Sequence, residues 1–187
     1  MGYLDETLVF TDSKIYYVDD TGIEFQVMMD WEDSIMQASA NYVCENGGDV
    51  LEIGFGMGLS AGYIQANDIT SHTIVENHPQ VIAKAKQWAK DKPNVTIVEG
   101  DWYDVKDSLG TYDGVFYDTW DDDHISDFTA ALPNLVNAGA KVTWWNNNTD
   151  TDDYFNITGT TYTAININPD SNIYFKNNIY YLPKKQF

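Results

Sequence analysis

Apolar positions first recur in short runs of period two, then in stretches of helical period separated by buried-looking strands. Residues 7–11 (TLVFT), 14–18 (KIYYV) and 23–27 (IEFQV) are β-branched and aromatic, with Asp-Ser and Asp-Asp-Thr-Gly between them. They predict a small antiparallel appendage over residues 1–26. From Asp30 to Glu45, Trp31, Ile35, Met36, Ala38, Tyr42 and Val43 recur at helical spacing, and Asn46-Gly47-Gly48 offers a left-handed stop.

A regular alternation follows. Residues 49–53 (DVLEI) predict a buried strand that runs into Gly54-Phe55-Gly56-Met57-Gly58 and then a helix through Gln65. Further strands are expected at 73–76, 95–98, 112–117 and 140–145, with helices at 79–90, opened by Pro79, and 125–136. This βα rhythm describes a doubly wound, Rossmann-like, mostly parallel sheet of the α/β class. Residues 146–161 are rich in Asn, Thr, Asp and Gly and read as a loop, while 162–167 and 172–182 read as a closing antiparallel hairpin turned by Asn-Pro-Asp-Ser. No repeat or linker stands out. The expectation is one domain over 1–187, with the appendage at 1–26, a cofactor-binding core at 27–145 and a short carboxyl-terminal part at 146–187.

The 187 residues, 43% hydrophobic, suffice for one core. All ten basic residues are lysine, and 29 acids bring the formal net charge to −19. Such a field favours cationic ligands and repels phosphate backbones and anionic bilayers, although acidic surfaces also simply keep proteins soluble. Neither nucleic acid nor a membrane is expected as a partner. Cys44 is the lone cysteine, so no internal disulfide is expected; no leader and no run of 18 apolar residues stands in the chain, which reads as cytoplasmic. The N-x-T triplets at Asn94, Asn147 and Asn156 reflect loop composition, and no glycan is expected.

The candidate chemistry starts at the glycine loop. Gly54, Gly56 and Gly58, with Phe55 and Met57 between them, allow a tight turn and bring N–H groups and a helix start towards an anionic group. Glu52 precedes the loop, and Glu76, followed by Asn77, ends the second strand of the alternation, where a carboxylate can accept both hydroxyls of a ribose. A nicotinamide site prefers G-x-G-x-x-G, but the sixth position here is Leu59, so S-adenosylmethionine is favoured, with S-adenosylhomocysteine as product. Gly100, Asp101 and Trp102 follow the next strand, in the place of an adenine. Asp101 reads equally as a helix N-cap and Trp102 equally as a core aromatic. Met28, Met29 and Met36 either line a cofactor pocket or fill core gaps.

Asp118 ends the strand at 112–117 and faces the crevice above the sheet; Glu32 supplies a second carboxylate, although alone it reads as a first-turn helix acid. Two carboxylates about one planar cation suit a guanidinium, with Asp118 as the candidate base and Glu32 helping to aim the nitrogen. Asp121-Asp122-Asp123-His124 reads as acids before a helix rather than as a metal site, and His72 and His78 lack ligand-like company, so no metal is expected.

Five strings carry a family resemblance: Val27-Met28-Met29-Asp30-Trp31-Glu32, Leu51-Glu52-Ile53-Gly54-Phe55-Gly56-Met57-Gly58, Glu99-Gly100-Asp101-Trp102-Tyr103-Asp104-Val105, Tyr112-Asp113-Gly114-Val115-Phe116-Tyr117-Asp118-Thr119 and Ile179-Tyr180-Tyr181-Leu182-Pro183. Together they resemble the guanidinoacetate N-methyltransferase family, and still more its relatives, the fungal and bacterial protein-arginine delta-N-methyltransferases, from about Val27 to the end. The resemblance implies a methyltransferase that modifies a guanidino group on a small molecule or an arginine. It implies that Met28 and Met36 border the cofactor, the glycine loop holds its methionine part, Glu76 its ribose, and Asp101 with Trp102 its adenine. Glu32 and Asp118 would grip the guanidino group, and Asn147 and Asn148 would meet the substrate's far end. The segment 146–161, helical in the family, is shortened here, and residues 1–26 have no clear counterpart; they would cap the site or mediate a homodimer. Methylation of a different amine, or cofactor binding without turnover, is the alternative.

Overall fold

Two sheets organise the chain, seen here in a computed structural model that describes residues 2–187. The smaller is antiparallel, in the order β1 (Val9–Phe10), β2 (Lys14–Val18), β3 (Glu24–Met29). Its first strand is shorter than the pattern predicts and its third runs on to Met29, so Met28 and Met29 lie on β3. A 3₁₀ turn at Asp30–Glu32 then opens α1 (Asp33–Val43). The turn is tight because the Met29 N–H donates to Glu32 Oε1 at 2.7 Å, tying the side chain back towards the strand.

The larger sheet takes β4 (Asp49–Ile53), β5 (Ser71–Glu76), β6 (Val95–Glu99), β7 (Tyr112–Tyr117), β8 (Val136–Trp144), β9 (Thr161–Asn166) and β10 (Ile179–Gln186) in the order β6-β5-β4-β7-β8-β10-β9. The first five strands are mutually parallel, and β10 runs antiparallel between β8 and β9. Crossovers use α2 (Leu59–Gln65), α3 (Pro79–Ala89), the short α4 (Trp102–Val105) and α5 (Phe128–Leu135). Alternation along β7 sends Phe116 to a core shared with Met36 and Val43 of α1, and Val115 and Tyr117 to a core shared with Phe128 and Leu132 of α5. Burial on both faces is what a strand covered by helices on either side requires.

Three element boundaries differ from the sequence reading for identifiable reasons. α5 is short because its first three predicted residues, Ile125–Asp127, form a separate 3₁₀ turn; β8 begins directly after it at Val136, four residues earlier than predicted. The last strand runs over Ile179–Gln186 instead of 172–182. Asn172 Oδ1 accepts the N–H groups of Tyr174 at 3.0 Å and Phe175 at 2.7 Å, so this side chain competes with the ladder and residues 167–178 form a loop in place of a tight turn. No helix among the described residues is long and apolar enough to cross a membrane.

The appendage packs where it bears on the crevice. Ile15 of β2, Leu8 and Tyr3 share a buried cluster with Phe55 and with Ile74, Val81 and Ala85. Leu8 N–H donates to Gln80 Oε1 at 2.8 Å, and β3 brings the Met28 sulfur to the Met57 N–H at 3.1 Å.

Candidate functional site

Strand order reverses between β4 and β7, the place where open α/β sheets leave a crevice at their carboxyl ends. Parallel register sets Ile53 level with Val75 on one side and with Tyr117 on the other, and Glu76 level with Glu99. Gly54, Glu76, Gly100 and Asp118 therefore emerge along one edge. They border a crevice of about 940 Å³, open solvent included.

At the glycine loop the backbone comes as close as it can. Gly54 has φ +93°, and a Cβ there would lie 1.8 Å from the Asp118 carbonyl oxygen; at Gly56 a Cβ would lie 2.4 Å from the Met28 sulfur. Gly58 has φ +76° and caps α2. Glu76 holds the loop from the neighbouring strand: its carboxylate accepts the N–H groups of Phe55 at 2.9 Å, Asn77 at 3.0 Å and His78 at 2.9 Å. Burial pushes its pKa up, and these bonds partly offset that.

Of the residues singled out in the sequence, Met28, Glu32, Gly54, Phe55 and Gly56 line the crevice on the loop side, and Glu76, Asn77, Gly100, Trp102, Asp118 and Asn147 line the rest. The others stand behind it. Met36 is fully buried in the α1 core. Glu52 is buried, accepts the Ser60 hydroxyl and pairs with His72 Nε2 at 2.9 Å, tying α2 to β5 beneath the loop. Met57 and Gly58 shape the turn, and Asp101 caps α4 by accepting the Tyr103 N–H at 2.9 Å. Asn148 is exposed, its amide nitrogen bonded to the Asp152 carbonyl and its own N–H donated to Asn146 Oδ1 at 2.9 Å. Trp102 is 3% exposed, packs in the core and also forms a wall of the crevice.

The carboxylates of Glu32 and Asp118 differ in their hydrogen bonding. Glu32 is buried, and its Oε1 accepts from Met29 N–H and, at 2.5 Å, from the Tyr174 hydroxyl. Burial, then the nearby Asp118 charge, pushes it up to about 8. Asp118 is half-buried, and its carboxylate receives no hydrogen bond from the described residues, so its oxygens are free towards the crevice. Burial, then Glu52, pushes it up to about 7. Raised carboxylates side by side form a site that gains from a cation.

Sequence reasoning passed over several wall residues. Tyr3, from the appendage, lines the crevice. Tyr174 comes from the loop before β10, and no local pattern marks it. Asp122, inside the acidic string, accepts from Trp102 Nε1 at 2.7 Å, from Thr119 Oγ1 at 3.1 Å and from the Tyr117 hydroxyl, and so fixes the indole. Its role could have been suspected from two buried aromatics with polar tips close by in sequence. Among the described residues no cluster of three or more His, Cys, Asp or Glu side chains is arranged to hold a metal.

Comparison with known proteins places this architecture. Among solved structures, spermidine synthase from Thermotoga maritima superposes with a TM-score of 0.64 at 12% identity, covering 96% of this chain and 72% of that one. The precorrin-6y C5,15-methyltransferase of Geobacter metallireducens superposes at 0.62 with 15% identity, covering 90% and 93%. At such identities the likeness is one of fold. In sequence, protein arginine N-methyltransferase 2 of Aspergillus fumigatus is 42% identical over 125 residues, 63% of this chain and 28% of that protein. The protein of the same name from Candida glabrata is 35% identical over 154 residues, 73% of this chain and 37% of that protein. The chain thus spans about a third of the length of these relatives. The profile of the family described as guanidinoacetate N-methyltransferase matches residues 12–158, so the match begins before Val27, takes in β2 and β3, and leaves out the Ile179–Pro183 string. The chain belongs to the guanidinoacetate N-methyltransferase family.

Proposed function

We propose that this chain transfers a methyl group from S-adenosylmethionine to a guanidino nitrogen. The observation that carries the reading is the Glu32–Asp118 pair: two carboxylates on one crevice, both with raised pKa values, one tethered and one free. A guanidinium relieves both and matches paired carboxylates with its fork of N–H donors.

The residues present fit the cofactor. Gly54 and Gly56 lie where any side chain would collide with Asp118 or Met28, which leaves bare backbone for a ligand's polar end. Glu76 suits a ribose diol, and the Trp102 face suits an adenine. S-adenosylmethionine, when bound, supplies an electrophilic methyl and leaves as S-adenosylhomocysteine. A guanidinium has a pKa above about 12, so its nitrogen must lose a proton as the new N–C bond forms. Asp118, with free oxygens, receives that proton. A base that titrates near the working pH suits the task, while Glu32 keeps the cation in line.

The charge of the crevice supports an arginine-like acceptor over guanidinoacetate. Among the described residues its walls carry Glu32, Glu76, Asp118 and Asp122 and include no lysine or histidine. A substrate carboxylate close to the guanidino carbon would be opposed by each of these charges, by roughly 0.5–1 kcal/mol at 4–8 Å even in a water-like medium. The Asn148 N–H, a candidate for such a carboxylate, is already bonded within the chain.

The test is mass spectrometry after incubation with S-adenosylmethionine and, in separate reactions, an arginine peptide, guanidinoacetate or a primary amine. A methyl gain on the peptide is the expected result. Gain only on the amine would sink the guanidino reading, and cofactor binding with no gain on any acceptor would indicate a silent binding protein.

A further inference from the structure

Tyr174 reaches the crevice from the loop at 167–178, 142 positions along the chain from Glu32, and its hydroxyl lies 2.5 Å from Glu32 Oε1. The loop is held on three sides. Asn172 caps the turn before it, the Ile173 N–H donates to Gln26 Oε1 at 3.1 Å, and Phe175 is buried in the core beside it. The Tyr174 ring stacks on Trp31 at 5.8 Å and meets the edges of Trp120 and Trp145, each at 6.2 Å. Three indoles bound the half-buried ring, and its hydroxyl points at Glu32.

Oε1 of Glu32 is therefore occupied twice, by the Met29 N–H and the Tyr174 O–H, while Oε2 has no partner among the described residues. We infer that Tyr174 is a positioning residue for the methyl acceptor, holding Glu32 by one oxygen so that the other is presented to the guanidinium. The inference rests on the guanidino reading of the site. The groups that face Glu32 are Asp118 at the end of β7, Tyr174 itself, and Tyr180 of β10. Burial and the Glu32 charge push Tyr174 well above the usual phenol range, so it stays a donor. Its bond favours the ionised carboxylate, in opposition to burial and to Asp118.

Tyr174→Phe keeps the ring and removes the donor. The expected result is unchanged cofactor affinity, a roughly tenfold loss in kcat/KM near neutral pH carried mainly by KM, and an acid limb moved up by about one pH unit, so that the deficit shrinks as pH rises. A loss uniform in pH would mean that the hydroxyl acts other than through the ionisation of Glu32, and kinetics identical to the parent would mean that Tyr174 only packs; either overturns the inference. Asp118→Asn is run beside it. If that variant turns over normally, the guanidino reading itself fails; if it is inactive while Tyr174→Phe matches the parent, only the role of Tyr174 fails.

Discussion

The carbonyl oxygen of Asp118 lies 1.8 Å from where a Cβ on Gly54 would stand. The ends of β4 and β7 approach this closely because the strands stay paired to this point, where the Asp118 N–H donates to the Ile53 carbonyl at 2.9 Å. Gly54 is also at φ +93°, which a side chain disfavours independently of space. Gly54→Ala is expected to lose more than about 1 kcal/mol of stability and to abolish cofactor binding. Urea denaturation and calorimetric titration check the two effects; a variant that binds normally would show that the close approach is not needed.

Asp118 carries the proton in the proposed reaction and makes no tether in the fold. Asp118→Asn is therefore expected to have a neutral-pH melting temperature at or above the parent's and to keep its cofactor affinity while kcat falls on the order of 10²–10⁴-fold. Single-turnover kinetics would reveal it. Retained turnover would show that the Glu32–Asp118 pair does not carry the reaction, and the guanidino reading drawn from it would fail.

The raised carboxylates give a pH dependence with a definite sign. Glu32 moves from 4.5 to about 8 and Asp118 from 3.8 to about 7 on folding. A raised carboxyl contributes stability that is fully present below its unfolded pKa and lost as pH rises through its folded pKa. The ligand-free protein should thus weaken between about pH 5 and 8, and Glu32→Gln should remove much of that slope. A guanidinium binds the ionised pair, so its affinity should rise over the same interval with protons released. Thermal denaturation across pH, and calorimetry in two buffers of different ionisation enthalpy, measure these; a flat stability curve would contradict them.

Asp122 joins Trp102, Tyr117 and Thr119. Asp122→Ala strands the buried indole N–H and phenol, each at a cost of about 1–3 kcal/mol, and frees the indole to turn. Expected are a lower denaturant midpoint and weaker cofactor binding, with Asp122→Asn milder on both counts. Unaltered cofactor affinity in the alanine variant would show that Trp102 needs no such anchor.

Local patterns in the sequence were sufficient for the parallel sheet, the glycine loop and the strand-end residues Glu76 and Asp118. These depend on interactions short in sequence: a period of two against a period near 3.6, and glycines where φ must be positive. Glu32 and Asp118 could be named together because each ends or opens an element with a legible boundary. What only the tertiary structure decided is longer in range. The sequence placed Glu52, Asp101 and Met36 beside the cofactor, but packing sets them behind the wall, because a strand or helix position does not reveal which buried partner a side chain meets. Tyr174 could not be read at all: its bond to Glu32 spans 142 positions and depends on Asn172 turning the chain out of the β-ladder, a choice between a side-chain acceptor and a neighbouring strand that no local pattern decides.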